Sequence, residues 1–451
     1  MTKYLGCFLL SIFATAGAEK MPPGDLIELA LQKPESTQFH EALMAAVREA
    51  DLKAGTVALS DHGRGLFAVA ASSTPALFLD ETPSAAMKQI SGSQVWFAAV
   101  PLKAGRGHSF YYVIDGKKFG GKADVPSFGP ESYAKPGVPH GKLSEKAVFT
   151  SKIYDGMQSD YWVYLPAQYD PKTPAALMVW DDGQQYINRD SASIKLLDVI
   201  DNLTYEKKLP VIVYVFTMPG VATMADGTPF YRAVQKAAKA DTQAARTSAL
   251  RGVEYETLSD QYARFLRDEL LTEVQSKYNI RKDGYSRAIT GLSSGALGAF
   301  TAAWEQPDQF SRVLTWVAPF TSGQWQPGVR DGGNIYPFKI RKEPKRNLRL
   351  WIQDGCDDAE NVNGSVPLQN IEVANSLKLR DYDFHFSFGV GGHSPTQGSS
   401  ELPESLAWLW RGYDPAKTQD TYTMDETEKS QPLFRVHIFN REGIGADGRI
   451  P

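Results

Sequence analysis

From about Gly55 to Val125, apolar and polar positions alternate in short runs: "GTVALS", "LFAVAAS", "PALFLD", "VWFAAVPL" and "HSFYYVIDGKKFGG". A period of two marks half-buried strands, and Gly, Asp, Ser and Pro punctuate the runs as turn residues do. "IDGKKF" reads as a hairpin turn between two of them. Residues 55–125 are thus expected to form a small β-sandwich. The segment before it, residues 19–54, keeps a helical rhythm. In "STQFHEALMAAVREADLK", Ser36 or Thr37 stands at a capping position and Phe39, Leu43, Ala46 and Val47 recur at helical spacing. A Pro- and Gly-rich connector, residues 126–144, follows.

The rhythm then changes. "SDYWVYLPAQY" and "AALMVWDDGQQY" read as strands, the second with the continuous apolar run of a central strand. Helical "SIKLLDVIDNLTYEKK" leads to strand "PVIVYVFTMPG". An amphipathic stretch follows, "LSDQYARFLRDELLTEVQSKYNI", with Tyr262, Phe265, Leu266, Leu270 and Val274 on one side. Strand "RAITGL", helix "GALGAFTAAWEQ", strands "RVLTWVAP" and "LRLWIQDG", helix "VPLQNIEVANSLKLR", strand "DFHFSFGVGG" and helix "LPESLAWLWRGY" complete residues 145–414. Alternating strand and helix predicts an α/β domain with a mainly parallel central sheet. Residues 415–451 are polar with a few apolar positions and read as a C-terminal extension.

Composition narrows the classes of function. A chain of 451 residues suits two or three domains. Net charge −4 leaves no basic footprint for nucleic acid. Lys3, an apolar run from Tyr4 to Phe13 and the small residues Ala16-Gly17-Ala18 have the layout of a secretory signal over residues 1–18. The run falls short of the roughly 18–20 apolar residues that a spanning helix needs. A secreted or periplasmic location is expected, with no membrane insertion of the mature chain. Removal of Cys7 with the signal leaves Cys356 without a partner for an intramolecular disulfide and excludes the usual cysteine-rich zinc and iron–sulfur sites.

One segment carries chemistry. Gly291-Leu292-Ser293-Ser294-Gly295 fits G-x-S-x-G between an apolar strand and a helix, the setting of a nucleophile elbow. Spacing selects Ser293, which has glycine two positions away on both sides, and leaves Ser294 as a backbone donor. In the α/β-hydrolase order the acid and then the histidine follow the serine. His385 lies inside a strand and His437 in the extension, whereas His393 sits in "GVGGHS" on a glycine-rich loop after a strand. The acid belongs after "LRLWIQ", where Asp354, Asp357 and Asp358 are three carboxylates that spacing alone does not rank. The backbone N–H groups of Ser294 and of the Gly183–Gln184 loop are the candidate oxyanion donors. Trp325, Tyr336 and Phe338, in the insertion after "RVLTWVAP", suit either a planar or sugar-like ligand or a core. The basic run from Ile340 to Arg346 suits either an acidic substrate or a solvated face.

With "DGQ" at Asp182–Gln184, "GLSSGALGAF", "LQNIEVANSLK" and "GVGGHS" in place, residues 142–413 resemble the putative esterase family of the α/β-hydrolase superfamily. That family includes enterochelin esterases, feruloyl esterases and S-formylglutathione hydrolases. "GKLSEKAVFTSKIYDGMQSDYWVYLPAQYDP" is similar to its secreted bacterial branch, and the resemblance implies that residues 55–125 are an immunoglobulin-like domain. It also implies Asp358 as the acid, three residues after the glycine of its turn, with Asp357 as the neighbouring alternative. The expected function is hydrolysis of a small-molecule or glycan ester, a sugar or feruloyl ester or a siderophore trilactone, with no metal or organic cofactor required. The competing readings are a carbohydrate-binding protein with an inert hydrolase fold, which a degraded triad would mark, and a peptidase or acyltransferase using the same residues. Oligomeric state is not legible in the sequence.

Overall fold

The computed structural model describes residues 21–221 and 250–436. The expected signal segment and His437 lie outside the described residues. The chain divides into two units: residues up to Pro101 together with Tyr111–Lys122, and Leu102–Phe110 together with everything from Ala123 onward.

In the first unit, helices span Pro23–Gln32, Thr37–Ala46 and Glu49–Ala54. Ser36 caps the second, its Oγ accepting the Phe39 N–H at 3.1 Å. Val47, expected within that helix, is instead the extended residue that ends it. Two four-stranded sheets follow. One runs β1 (Val57–Asp61), β2 (Arg64–Ala70), β6 (Val95–Pro101), β5 (Lys88–Gln89). The other runs β4 (Thr82–Ala86), β3 (Ala76–Leu79), β7 (Arg106–Ile114), β8 (Lys117–Ser127), of which Arg106–Phe110 and Ala123–Ser127 are assigned to the second unit. The β7–β8 turn is Asp115-Gly116, both at positive φ, as a two-residue hairpin requires. The short strands β4 and β5 have little apolar signal and were not legible in the sequence. Leu26, Ile27, Phe39, Leu43 and Leu52 from the helices share one core with Val57, Leu66, Ala68 and Phe97 from the strands. The helical segment and the strands therefore form one unit rather than meeting at a boundary near residue 54, because each has an apolar face that only the other covers.

The second unit is built on a nine-stranded sheet in the order β10 (Ala147–Thr150), β11 (Gln158–Leu165), β13 (Ile212–Thr217), β12 (Ala176–Asp181), β14 (Arg287–Leu292), β15 (Arg312–Trp316), β16 (Arg349–Gly355), β19 (Asp383–Gly389). Strand β9 (Lys142–Leu143) pairs with β11. Pairings of β11 are antiparallel, and those from β13 to β19 are parallel. Two further short strands, β17 (Glu360–Asn361) and β18 (Gly364–Ser365), form a hairpin of their own. Strands β12 and β13 are buried at every residue. Their side chains alternate between two cores. Leu177, Val179, Val213 and Val215 face one, with the helices Ser294–Glu305 and Val366–Leu379. Met178, Trp180, Tyr214 and Phe216 face the other, with the helices Leu196–Tyr205 and Leu402–Leu409. Residues 261–277 bury the expected Tyr262, Phe265, Leu266, Leu270 and Val274, with a π-helical turn at Phe265–Leu270 in the middle. The extension packs as far as it is described: Tyr422 and Met424 are buried, and Asn375 exchanges two hydrogen bonds with the Phe434 backbone.

Candidate active site

The loops that carry the candidate groups leave the carboxyl ends of β12, β14, β16 and β19, the edge at which open α/β sheets place their sites. At the end of β14, Ser293 has φ 57° and ψ −129°, a region that a residue with a side chain rarely occupies. Its neighbours explain how the turn closes. A Cβ on Gly291 would sit 2.4 Å from the Gly295 backbone, and one on Gly295 would sit 2.9 Å from the Asp182 carboxylate. Position 291 excludes any side chain, and one at 295 would have to displace the Asp182 carboxylate, which is the steric content of the G-x-S-x-G spacing.

Ser293, His393 and Asp358 meet. The Ser293 hydroxyl lies 2.7 Å from His393 Nε2, and His393 Nδ1 lies 2.6 Å from Asp358 Oδ1. The imidazole is about one-third exposed and the Asp358 side chain is fully buried. Burial pushes the Asp358 carboxyl up, but hydrogen bonds from His393, Asp354 and the Ala359 N–H outweigh it, and the group is held below the usual carboxylate range. Asp357, the alternative acid, is exposed; its backbone N–H bonds to the Gly391 carbonyl and stitches the β16 loop to the histidine loop. His385 stacks on Trp351 at 4.0 Å within the sheet, where burial lowers its pKa.

Ser294 opens the helix Ser294–Glu305, and the first N–H groups of a helix have no acceptor four residues back. The Gln184 N–H donates to the Met218 sulfur at 3.3 Å, a weak acceptor that an oxyanion can replace. Arg251 ties these two loops together. It binds the Asp182 carboxylate through Nε at 2.9 Å and Nη2 at 2.6 Å, and Nη2 also reaches the Leu292 carbonyl at 3.3 Å.

Asp124, within β8, accepts the Gly392 N–H and the Ser394 hydroxyl on one oxygen, both at 2.8 Å. It thus clasps the residues on both sides of His393, one by its backbone and one by its side chain. Removing the clasp lets the imidazole drift, and a displacement of about 1 Å costs on the order of 10²-fold in rate. Asp124→Ala is expected to lower kcat/KM for p-nitrophenyl acetate by roughly 10–100-fold, and Asp124→Asn, which keeps an acceptor oxygen, to recover most of it. Unchanged kinetics in the alanine variant would remove Asp124 from the site.

A cavity of about 250 Å³ opens beside Ser293 and His393, lined among others by Glu256, Thr321, Gln324, Asn361 and Asn363. Glu256 accepts the Ser294 hydroxyl at 2.5 Å and the Gln324 amide at 3.4 Å. The expected aromatic contacts do not line it. Tyr336 is fully buried among Phe300, Trp304 and Phe320, its hydroxyl donating to Thr301 Oγ1 at 2.8 Å. It is a core residue, so its expected role in substrate binding is corrected here. On the helix Tyr336–Lys342, Tyr336 and Ile340 point inward at i, i+4 and Phe338 points out. Trp325 is exposed and lies outside the cavity lining. The basic run is spent on ion pairs: Arg341 with Glu372, Lys345 with Asp381, Arg346 with Glu343. Among the described residues no group of three or more His, Cys, Asp or Glu side chains is arranged to hold a metal ion, and no helix is long and apolar enough to cross a membrane.

The model of the family described as "Putative esterase" matches residues 156–409. The uncharacterized protein YjcH of Bacillus subtilis is 19% identical over 252 residues, 54% of this chain and 88% of that one. An endo-1,4-beta-xylanase/feruloyl esterase of Xylanibacter ruminicola is 27% identical over 106 residues, 24% of this chain and 12% of that one. Among solved structures, the enterobactin esterase of Shigella flexneri aligns with a TM-score of 0.47 at 16% identity, over 77% of this chain and 93% of that one. A ferulic acid esterase of Anaeromyces mucronatus aligns with a TM-score of 0.44 at 16% identity, over 61% and 93%. With more than half of its length matched by that family model, the chain belongs to the Putative esterase family and is a carboxylic ester hydrolase.

Proposed function

We propose that the protein is a secreted serine esterase that works through an acyl-enzyme formed on Ser293. The observation that carries this reading is the unbroken hydrogen-bonded line from Ser293 through His393 to Asp358 at a strained strand-to-helix turn. His393 Nε2 takes the hydroxyl proton as Ser293 Oγ attacks the ester carbonyl, and Asp358 holds the imidazolium that forms. The N–H groups of Ser294 and Gln184 receive the oxyanion, the latter exchanging the Met218 sulfur for it. The proton then passes to the departing alcohol, and water, deprotonated by His393, releases the acid. The N-terminal run from Tyr4 to Phe13 supports export as the route to the substrate.

The cavity supports a neutral, hydroxyl-bearing ester, of the sugar or feruloyl class, over an anionic siderophore trilactone. Among the described residues no lysine or arginine lines it, and Glu256 brings a carboxylate to it, while Thr321, Gln324, Asn361 and Asn363 offer hydroxyl and amide partners. A unit charge near 4 Å in partly screened surroundings amounts to about 1–4 kcal/mol. Glu256→Gln is therefore expected to raise kcat/KM for p-nitrophenyl hemisuccinate relative to p-nitrophenyl acetate by about tenfold. An unchanged ratio would refute the charge filter. A screen of feruloylated and acetylated glycans against ferric enterobactin tests the class directly, and preferential cleavage of the siderophore would overturn it.

A further inference from the structure

Asp354, the penultimate residue of β16, lies four positions before Asp358 and is fully buried. Its Oδ1 accepts the Gly355 N–H at 2.8 Å. Its Oδ2 has no hydrogen-bond donor, and the Oδ2 of Asp358 has none either; both atoms are buried. The Asp358 N–H closes the turn between them on the Gly355 carbonyl at 3.2 Å, and the two carboxyl groups bear on each other across it. Two neighbouring ionised carboxylates are costly in a dry site, because each loses its hydration and meets a like charge. One proton between the two oxygens removes the repulsion and gives each a partner.

Which group carries the proton follows from what surrounds it. Asp358 Oδ1 accepts from His393 Nδ1 and from the Ala359 N–H, and both favour the anion. Asp354 has the Gly355 N–H and the uncharged Asn370, from the helix Val366–Leu379. Burial, and after it the contact with Asp358, pushes the Asp354 carboxyl up to about 9. The titratable groups that bear on the pair are His393, reached through Asp358, and Cys356 on the same loop.

We infer that Asp354 is a neutral carboxylic acid at physiological pH and a positioning residue, donating its hydroxyl to Oδ2 of Asp358 and extending the hydrogen-bonded line to Asp354–Asp358–His393–Ser293. This rests on the reading of Ser293, His393 and Asp358 given above. The donated hydrogen bond fixes the rotation of the Asp358 carboxylate, so that Oδ1 faces the imidazole. It also draws off part of the negative charge that His393 meets.

Asn at position 354 places an N–H donor where the O–H was but carries no ionisable proton. Asp354→Asn is expected to keep kcat/KM at pH 7 within about threefold of wild type, and Asp354→Ala to lose tenfold or more. The wild-type enzyme is expected to lose activity as pH rises through about 9, and Asp354→Asn to lack that limb.

Stability gives a readout independent of catalysis. The folded pKa is raised above the unfolded value of about 4, so between the two the unfolded state binds one proton fewer and stability falls as pH rises. Thermal unfolding measured from pH 5 to 8 should release about one more proton in wild type than in Asp354→Asn. Equal proton release would overturn the inference. If proton release differs but Ser293→Ala remains active, the carboxyl pair stands and the esterase mechanism fails. Equal release with an inactive Ser293→Ala overturns the carboxyl pair and leaves the esterase mechanism standing.

Discussion

Alanine at position 293 is expected to abolish hydrolysis of p-nitrophenyl acetate, lowering kcat by on the order of 10⁴-fold or more, while leaving the far-ultraviolet circular dichroism and the melting transition in place. Ser293 Oγ is the hydroxyl that His393 Nε2 faces at 2.7 Å, so its loss takes away the atom that attacks. Glycine at the same position sharpens the test. The backbone at φ 57° and ψ −129° is strained by about 1–3 kcal/mol for a residue with a Cβ. Glycine relieves that strain, against a loss of up to about 1 kcal/mol from its greater freedom when unfolded. Ser293→Gly is therefore expected to be inactive and yet to melt above Ser293→Ala by a few degrees. More than about 1% residual activity in Ser293→Ala, beyond what an oxyanion hole alone sustains, would remove Ser293 as nucleophile.

The second large effect separates two adjacent aspartates. Asp358 is expected to be the acid because its buried carboxylate accepts His393 Nδ1 at 2.6 Å, whereas Asp357 contributes its backbone to the loop and turns its side chain to solvent. An amide at 358 has an N–H face that opposes the Nδ1 proton, which favours the wrong tautomer and a loss on the order of 10³–10⁴-fold in kcat. Asp357→Asn is expected to stay within about twofold, as an exposed substitution should. Steady-state kinetics on both variants decide the matter, and a larger loss at 357 would reassign the acid.

Much of this architecture was legible before any coordinates. A parallel strand covered on both faces is mostly apolar, and β12 and β13 announce themselves in that way. The turn around Ser293 was legible for a different reason: the backbone passes so close to itself there that only glycine fits at 291. Neither argument depends on distant parts of the chain. What escaped did. Asp124 bonds to Gly392 across 268 residues of sequence, and Arg251 reaches Asp182 across 69. A single charged residue in a loop carries no local pattern that reveals such a partner. Tyr336 failed differently: an aromatic side chain in an insertion serves a core and a ligand equally well, and only the inward i, i+4 pairing with Ile340 separates the two.

The clasp at Asp124 bears on how such a protein is inherited. The family match begins at residue 156 and contains Ser293, Asp358 and His393, yet the carboxylate that bonds to the residues on both sides of His393 lies upstream of it. A recombination event that carried residues 156–409 onto a new leader would transplant the reacting groups without this restraint. The segment needed to hold the histidine loop therefore begins upstream of the family match, within β8.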